Sequence, residues 1–290
     1  MMCATVCGIA DRSAPTNVEP YGWGEPMSLP GVPEMREMIP AQRRVRIVEL
    51  LKERRAVRVS SLSDHLRVSE MTIRRDLERL EAEGLLSRTH GGAILKRHMA
   101  EEPQYVDNVA THAEEKERIA RAAAGMIQPG ETVFLSSGTT AARVLRHVSP
   151  ELEARVVTHN VGALAEAQGL RLEVILLGGR YRPRSNAVDG PAAVEFVSRF
   201  HAGRMLIGVD GFDLHEGLTT PSLGIAGVER AMIGHTRGDV VVLADLSKIG
   251  VVADVVICGL DQVDVVLVDD GVDDGVREDM RRLGLRCIVV

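Results

Sequence analysis

Aromatic side chains are scarce: the sequence has one Trp, three Tyr and four Phe, 3% of its residues. Val, Leu, Ile and Ala supply the apolar mass instead, and hydrophobic residues reach 45%. That mix suits buried parallel strands flanked by helices, because branched aliphatic chains pack well on a pleated surface covered from both sides. Cysteine is sparse too. Cys3 and Cys7 fall in an N-terminal tail, Cys258 and Cys287 in or beside expected strands, and no His stands at zinc-ligand spacing. Neither a disulfide framework nor a metal centre is expected, and no cofactor; the thiols fit a reducing cytoplasm. No run approaches the roughly 18 apolar residues needed to span a bilayer. MMCATVCGIADR lacks the basic start and long apolar stretch of a signal peptide, so no membrane partner is expected.

At 290 residues the chain exceeds one typical core, which points to a large domain and a small one. Its net charge of −6 is unevenly spread. Residues 41–97 hold 14 Lys and Arg against 8 Asp and Glu, whereas residues 98–290 hold 19 against 28. A basic segment on an acidic chain calls for a polyanion partner at that segment alone.

Residues 1–39 contain Pro15, Pro20, Pro26, Pro30 and Pro33 without helical or alternating period, and are expected to be a disordered tail. Met27, Met35 and Met38 each offer an alternative start. From Pro40, AQRRVRIVELLKERR is an amphipathic helix, SSLSDHL a short second one, and Ser69 caps a third running from Glu70 to Glu83, which Gly84 ends. On the third helix Ile73, Leu77 and Leu80 form one stripe, while Met71 and Arg75 point the other way. LLSRTHGGAIL then predicts a hairpin around Gly91-Gly92. Residues 40–97 are thus expected to be a small winged helix-turn-helix domain. Its third helix would enter a major groove, with Ser69, Thr72, Arg74 and Arg75 reaching bases or phosphates, and Arg88 and His90 touching the backbone or minor groove from the wing. The competing reading has Arg74 and Arg75 solvating a helix face, paired with Glu70, Glu78 or Asp76.

Residues 98–111 are polar and expected to be a linker. From 112 to 290, helices alternate with the apolar runs TVFL, RVVTH, LEVILL, RMLIGV, DVVVLA, VDVVLV and LRCIVV. That alternation predicts an α/β domain with a mostly parallel sheet. SSGTT lies between a strand and a helix, where such sheets bind ligands. Gly138 admits close approach of an anion, and amides and hydroxyls from Ser137, Gly138, Thr139 and Thr140 would cradle a phosphate. Asn160, the pair Gly178-Gly179, Asp210 and Lys248 follow other strands and are further candidates. The alternative for Lys248 is an exposed loop lysine, and for Asp210 a turn or helix-capping acid.

The run from RIVELLKERR through SEMTIRRDLERL to THGGAIL closely resembles the N-terminal domain of DeoR-type bacterial transcriptional repressors. The resemblance continues through EEKERIARAAAGMIQPGETVFLSSGTT, VILLGG, GVDGFDLHEGLTTP, ERAMI and LADLSKIG, and covers roughly residues 41–290. It implies a sensor similar to ribose-phosphate isomerase, and a repressor of carbohydrate-use genes released by a phosphorylated sugar. Several positions depart from the family's pattern: Ser136 stands where Asp is common, SLGIAGV follows GLTTP where the stretch is usually acidic, and Glu229 stands where Lys is common. The expected protein is a cytoplasmic, homo-oligomeric DNA-binding regulator. An isomerase- or deaminase-like enzyme using Asp210, Asp213, His215 and Glu216 is the alternative, and so is an activator of the same architecture. No acid/base pair is recognisable, so catalysis is not expected.

Overall fold

The computed structural model describes residues 38–290; the expected tail, but for its last two residues, lies outside them. The N-terminal body runs α1 (Pro40–Arg54), β1 (Ala56–Arg58), α2 (Val59–Leu66), α3 (Glu70–Ala82), β2 (Leu86–Thr89) and β3 (Gly92–Leu95). Local chemistry sets its joints. Arg67 ends α2 in the left-handed region (φ 52°), and the Ser63 hydroxyl donates to Val68 O at 2.7 Å across the turn. Ser69 Oγ accepts the Thr72 amide at 3.3 Å, which caps α3. The three helices close over Ile47, Leu51, Leu66, Ile73 and Leu77, all at most 1% exposed. The hairpin β2–β3 has a third strand that the sequence did not suggest: β1 pairs antiparallel with β3. This contact needs Gly92, where a Cβ would lie 1.9 Å from Val57 O.

The segment expected to be a linker has structure. It carries most of β4 (Arg97–Met99) and then α4 (Tyr105–Ala110). The C-terminal body follows with α5 (Ala113–Ala124), β5 (Thr132–Leu135), α6 (Thr139–Val144), β6 (Arg155–Thr158), α7 (Ala163–Glu166) and β7 (Glu173–Leu176). After these come the hairpin β8 (Arg180–Arg182) and β9 (Ala187–Asp189), α8 (Pro191–Val197) and β10 (Arg204–Gly208). The chain ends with β11 (Gly211–Asp213), β12 (Gly217–Thr220), α9 (Leu223–Gly234), β13 (Val240–Ala244), β14 (Val251–Ala253), β15 (Val255–Cys258), β16 (Val265–Val268), α10 (Asp274–Arg282) and β17 (Arg286–Val289).

Seven strands form one sheet in the order β17-β16-β13-β10-β5-β6-β7, every neighbouring pair parallel. Because strand side chains alternate, each strand feeds two cores. Phe134, Ile207 and Val242 pack on one face, and Val133, Leu206 and Val241 on the other. Strand order reverses between β5 and β10, and the crevice beyond their carboxyl ends is where an open parallel sheet offers a ligand site.

The two bodies are docked. β4 pairs in parallel with β14, and Ile94 of β3 is buried in the sensor's core cluster. Arg58 reaches Asp273 and Asp274, each at 2.7 Å, and the His90 amide donates to Asp279 Oδ2 at 2.7 Å. Lys96 adds a looser pair with Glu216 at 3.5 Å.

Candidate functional site

The first site is the outer face of α3. Arg75 is exposed and has no hydrogen-bond or ion-pair partner among the described residues, so its guanidinium is available to a ligand. Arg74 is exposed but pairs with Glu70 at 2.9 Å, and Arg79 pairs with Glu83 at 3.0 Å. Ser69 and Thr72 share a hydroxyl contact of 3.0 Å at the helix start. Asp76 faces inward, where it takes Arg43 at 2.5 Å and Arg44 at 3.6 Å and thereby fastens α3 to α1. The wing differs from expectation. Arg88 folds back onto α3, donating to Glu81 at 2.7 Å and Glu78 at 3.1 Å. His90 sits at a hairpin tip whose backbone is bound to α10.

The second site is a cavity of about 60 Å³ at the β5/β10 switch point. Ser137, Gly138, Thr139, Thr140, Asp210 and Lys248 all line it. Gly138 takes φ +99°, a conformation that disfavours any side chain. The loop is held from behind by the end of β6. Asn160 Nδ2 donates to Ser136 O at 3.1 Å and Gly138 O at 2.9 Å, so Asn160 buttresses the loop rather than lining the cavity. Gly178 and Gly179 are exposed and also lie outside the cavity lining; a Cβ on Gly179 would meet Asp189 O at 2.6 Å, a packing reason for glycine. The Ser137 amide donates to His159 Nε2 at 2.9 Å, so the cradle offers an anion the amides from Gly138 onward.

That contact fixes the state of His159. Its Nδ1 donates to Val188 O at 3.1 Å, so the buried ring is neutral, and burial takes its pKa down to about 4. The 3.8 Å approach of Glu229 Oε1 to Nε2 is therefore no ion pair. Glu229, 2% exposed, is pushed well above the usual carboxylate range by burial and then by the charge of Asp210. Asp210 is also raised by burial, against the opposing pull of Lys248 and the Thr220 hydroxyl.

Sequence reasoning missed Lys116. It is 2% exposed, lines the cavity, and its Nζ donates to Asn108 O of α4 at 2.7 Å with no carboxylate within ion-pair distance among the described residues. Burial lowers its pKa to about 8. A signal was present: Lys116, Ile119, Ala120 and Ala123 share one helical stripe, and the other three are core. Glu102 and Tyr105, from the segment expected to be a linker, close the cavity from above, with Glu102 held by Arg182 at 2.8 Å.

A winged helix-turn-helix with a free arginine on its third helix, docked on a parallel α/β domain with a charged cavity at its switch point, defines a DNA-binding regulator with a small-molecule sensor. The chain matches the DeoR-like helix-turn-helix domain over residues 43–98 and the DeoR C terminal sensor domain over residues 111–270. It is 36% identical to the HTH-type transcriptional regulator GlpR of Haloferax volcanii, over 87% of this chain and 98% of that one. It is also 36% identical to the glycerol-3-phosphate regulon repressor of Escherichia coli, over 79% of this chain and 90% of that one. A ribose 5-phosphate isomerase from Methanocaldococcus jannaschii aligns over 48% of this chain and 55% of that one, at 18% identity and a TM-score of 0.36, too low to carry a functional inference. The chain belongs to the DeoR family of transcriptional regulators, and its relatives are DNA-binding regulators, not enzymes. Among the described residues no helix is long and apolar enough to cross a membrane.

Proposed function

We propose that the chain is a cytoplasmic repressor of carbohydrate-use genes whose operator affinity is changed by a phosphorylated sugar or related metabolite. The observation that carries this reading is the convergence of Lys116 and Lys248, neither paired to a carboxylate, on the cavity beside the Gly138 loop. A buried, unpaired ammonium is costly, and a phosphate would relieve that cost. The names of the relatives, one a repressor of a glycerol-3-phosphate regulon, support the same class of effector. Recognition is by α3, and a homodimer or higher homo-oligomer is required because one short helix reads too few bases; half-sites would lie about 10 bp apart or at multiples of that spacing.

The contacts around the cavity suggest how occupancy reaches the reading head. Phosphate would compete with Asn108 O for Lys116 and loosen α4, which runs back to β4. Lys248 lies in the turn Leu246–Lys248, and Arg97 of β4 donates to Ser247 O in that turn at 2.5 Å. An operator duplex selected from random DNA with the full chain, titrated in the presence of sugar phosphates, tests the reading. One effector should change affinity roughly 5–150-fold. Lys248→Ala and Lys116→Met should lose that response while binding effector-free operator normally. An effector to which both variants respond like the parent would overturn the assignment.

A further inference from the structure

The cavity holds more than an anion site. Besides the two lysines it presents two carboxyl groups from separate elements, Asp210 after β10 and Glu229 on α9. Their protein partners are hydroxyls: Thr220 donates to Asp210 Oδ2 at 2.8 Å, and Ser137 donates to Glu229 Oε1 at 3.3 Å. Among the described residues no Lys or Arg stands within ion-pair distance of either one, and the imidazole near Glu229 is neutral. Glu102, the third acid of the cavity, is already answered by Arg182. Two ammonium groups therefore stand without carboxylates and two carboxyls without cations, all lining one cavity.

A plain sugar phosphate answers only half of this arrangement. Its phosphate satisfies the lysines, but it offers no cation to the carboxyl pair, which burial pushes towards the neutral form. Its hydroxyls could bond to Asp210 and Glu229, but they would leave both carboxyls without a counter-charge. A ligand carrying an ammonium group beside its phosphate meets both needs: the anion lies on Lys116 and Lys248, and the cation lies between the carboxyls. The ligand's cation would draw the buried Glu229 into its ionised form, and little water screens the pair that results.

Resting on the reading of the cavity as a phosphate-ester sensor, we infer that its effector is an aminated sugar phosphate, with Glu229 and Asp210 selecting the ammonium group. Isothermal titration of the full chain with matched pairs tests this: glucosamine 6-phosphate against glucose 6-phosphate, and 2-aminoethyl phosphate against 2-hydroxyethyl phosphate. The amine should bind at least roughly tenfold tighter within a pair, as one shielded charge pair allows. In Glu229→Gln the preference should shrink to within about threefold, while the neutral phosphate binds as well as before or better. Asp210→Asn, made separately, should reduce the preference in the same direction, and melting curves establish that both variants fold. If the neutral member binds as tightly as the amine in the parent, amine selection is wrong and the phosphate site stands. If no phosphate binds, or unphosphorylated glucosamine binds as well as its phosphate, both readings fall together.

Discussion

Replacing Asp76 by alanine removes the carboxylate that joins α3 to α1. Asp76 is 4% exposed and Arg43 is 7% exposed, and their contact is 2.5 Å long. Without Asp76, the Arg43 guanidinium keeps, among the described residues, only Met38 O, at 3.4 Å. Breaking a buried pair from one side costs about 3–5 kcal/mol, since the charge left behind is uncompensated. Arg43 keeps 7% of its surface exposed, so some solvent reaches the charge left behind, which places the cost near the lower end, about 3 kcal/mol. A domain of this size has a total stability on the order of 3–9 kcal/mol. The substitution should therefore remove a third or more of the head's stability while sparing the sensor. Hydrogen exchange on the full chain checks this: amides of α3 should lose protection, those of β5 and β13 should not, and operator affinity should fall. A double variant, Arg43→Met with Asp76→Leu, should recover most of the loss, because an apolar pair of similar volume replaces the ion pair. Protection and operator affinity within about 1 kcal/mol of the parent in Asp76→Ala would refute the argument, since so small a loss is that of an exposed pair.

Other expectations concern reading, pH and coupling. Arg75→Ala should weaken specific operator binding by about 1–3 kcal/mol, and Arg74→Ala by less, because Glu70 already holds Arg74; a gel-shift titration giving the reverse order would exchange their roles. His159 is neutral in the fold with a pKa of about 4, against 6.5 for a free imidazole. Its contribution to sensor stability is complete above pH 6.5 and is lost as pH falls towards 4, about 3 kcal/mol in all. Urea unfolding of the sensor at pH 7 and pH 4.5 should show that slope flattened in His159→Gln, and equal slopes would defeat the assignment. Arg97→Met should leave effector binding and effector-free operator binding intact but shrink the linkage between them; full linkage in that variant would mean that coupling bypasses Ser247.

The seven-stranded sheet was legible because runs such as TVFL and VVVLA are continuously apolar, as strands buried on both faces must be. The short strands were hidden. DGFDLHEGLTTP reads as a loop, yet it holds β11 and β12, with Thr219 and Thr220 buried and hydrogen-bonded through their hydroxyls. The polar composition of residues 98–111 concealed β4 in the same way, because its stability comes from a lateral ladder that leaves no apolar period. At the cavity, the SSGTT loop was legible from its glycine and its place between strand and helix. Asn160 and Gly178-Gly179 also follow strands, but β6 and β7 lie beyond β5, away from the reversal, and strand order is not written in local sequence. Arg88 was expected to touch DNA from the wing because nothing in a linear reading reveals that Glu78 and Glu81 stand within reach of it.

The β4–β14 ladder bears on how such regulators can be recombined. A chimera designed at the polar boundary near residue 98 would cut β4 in two and leave half of its pairing to chance. Even an exchange made beyond Met99 would import a foreign residue at position 94, into a core that belongs to the sensor, and a foreign residue at position 58 opposite Asp273 and Asp274. Operator choice and effector choice are therefore not freely interchangeable parts. A working hybrid must carry over, with its new reading head, a strand that fits the edge Val251–Ala253 and a base that answers the two acids at the start of α10.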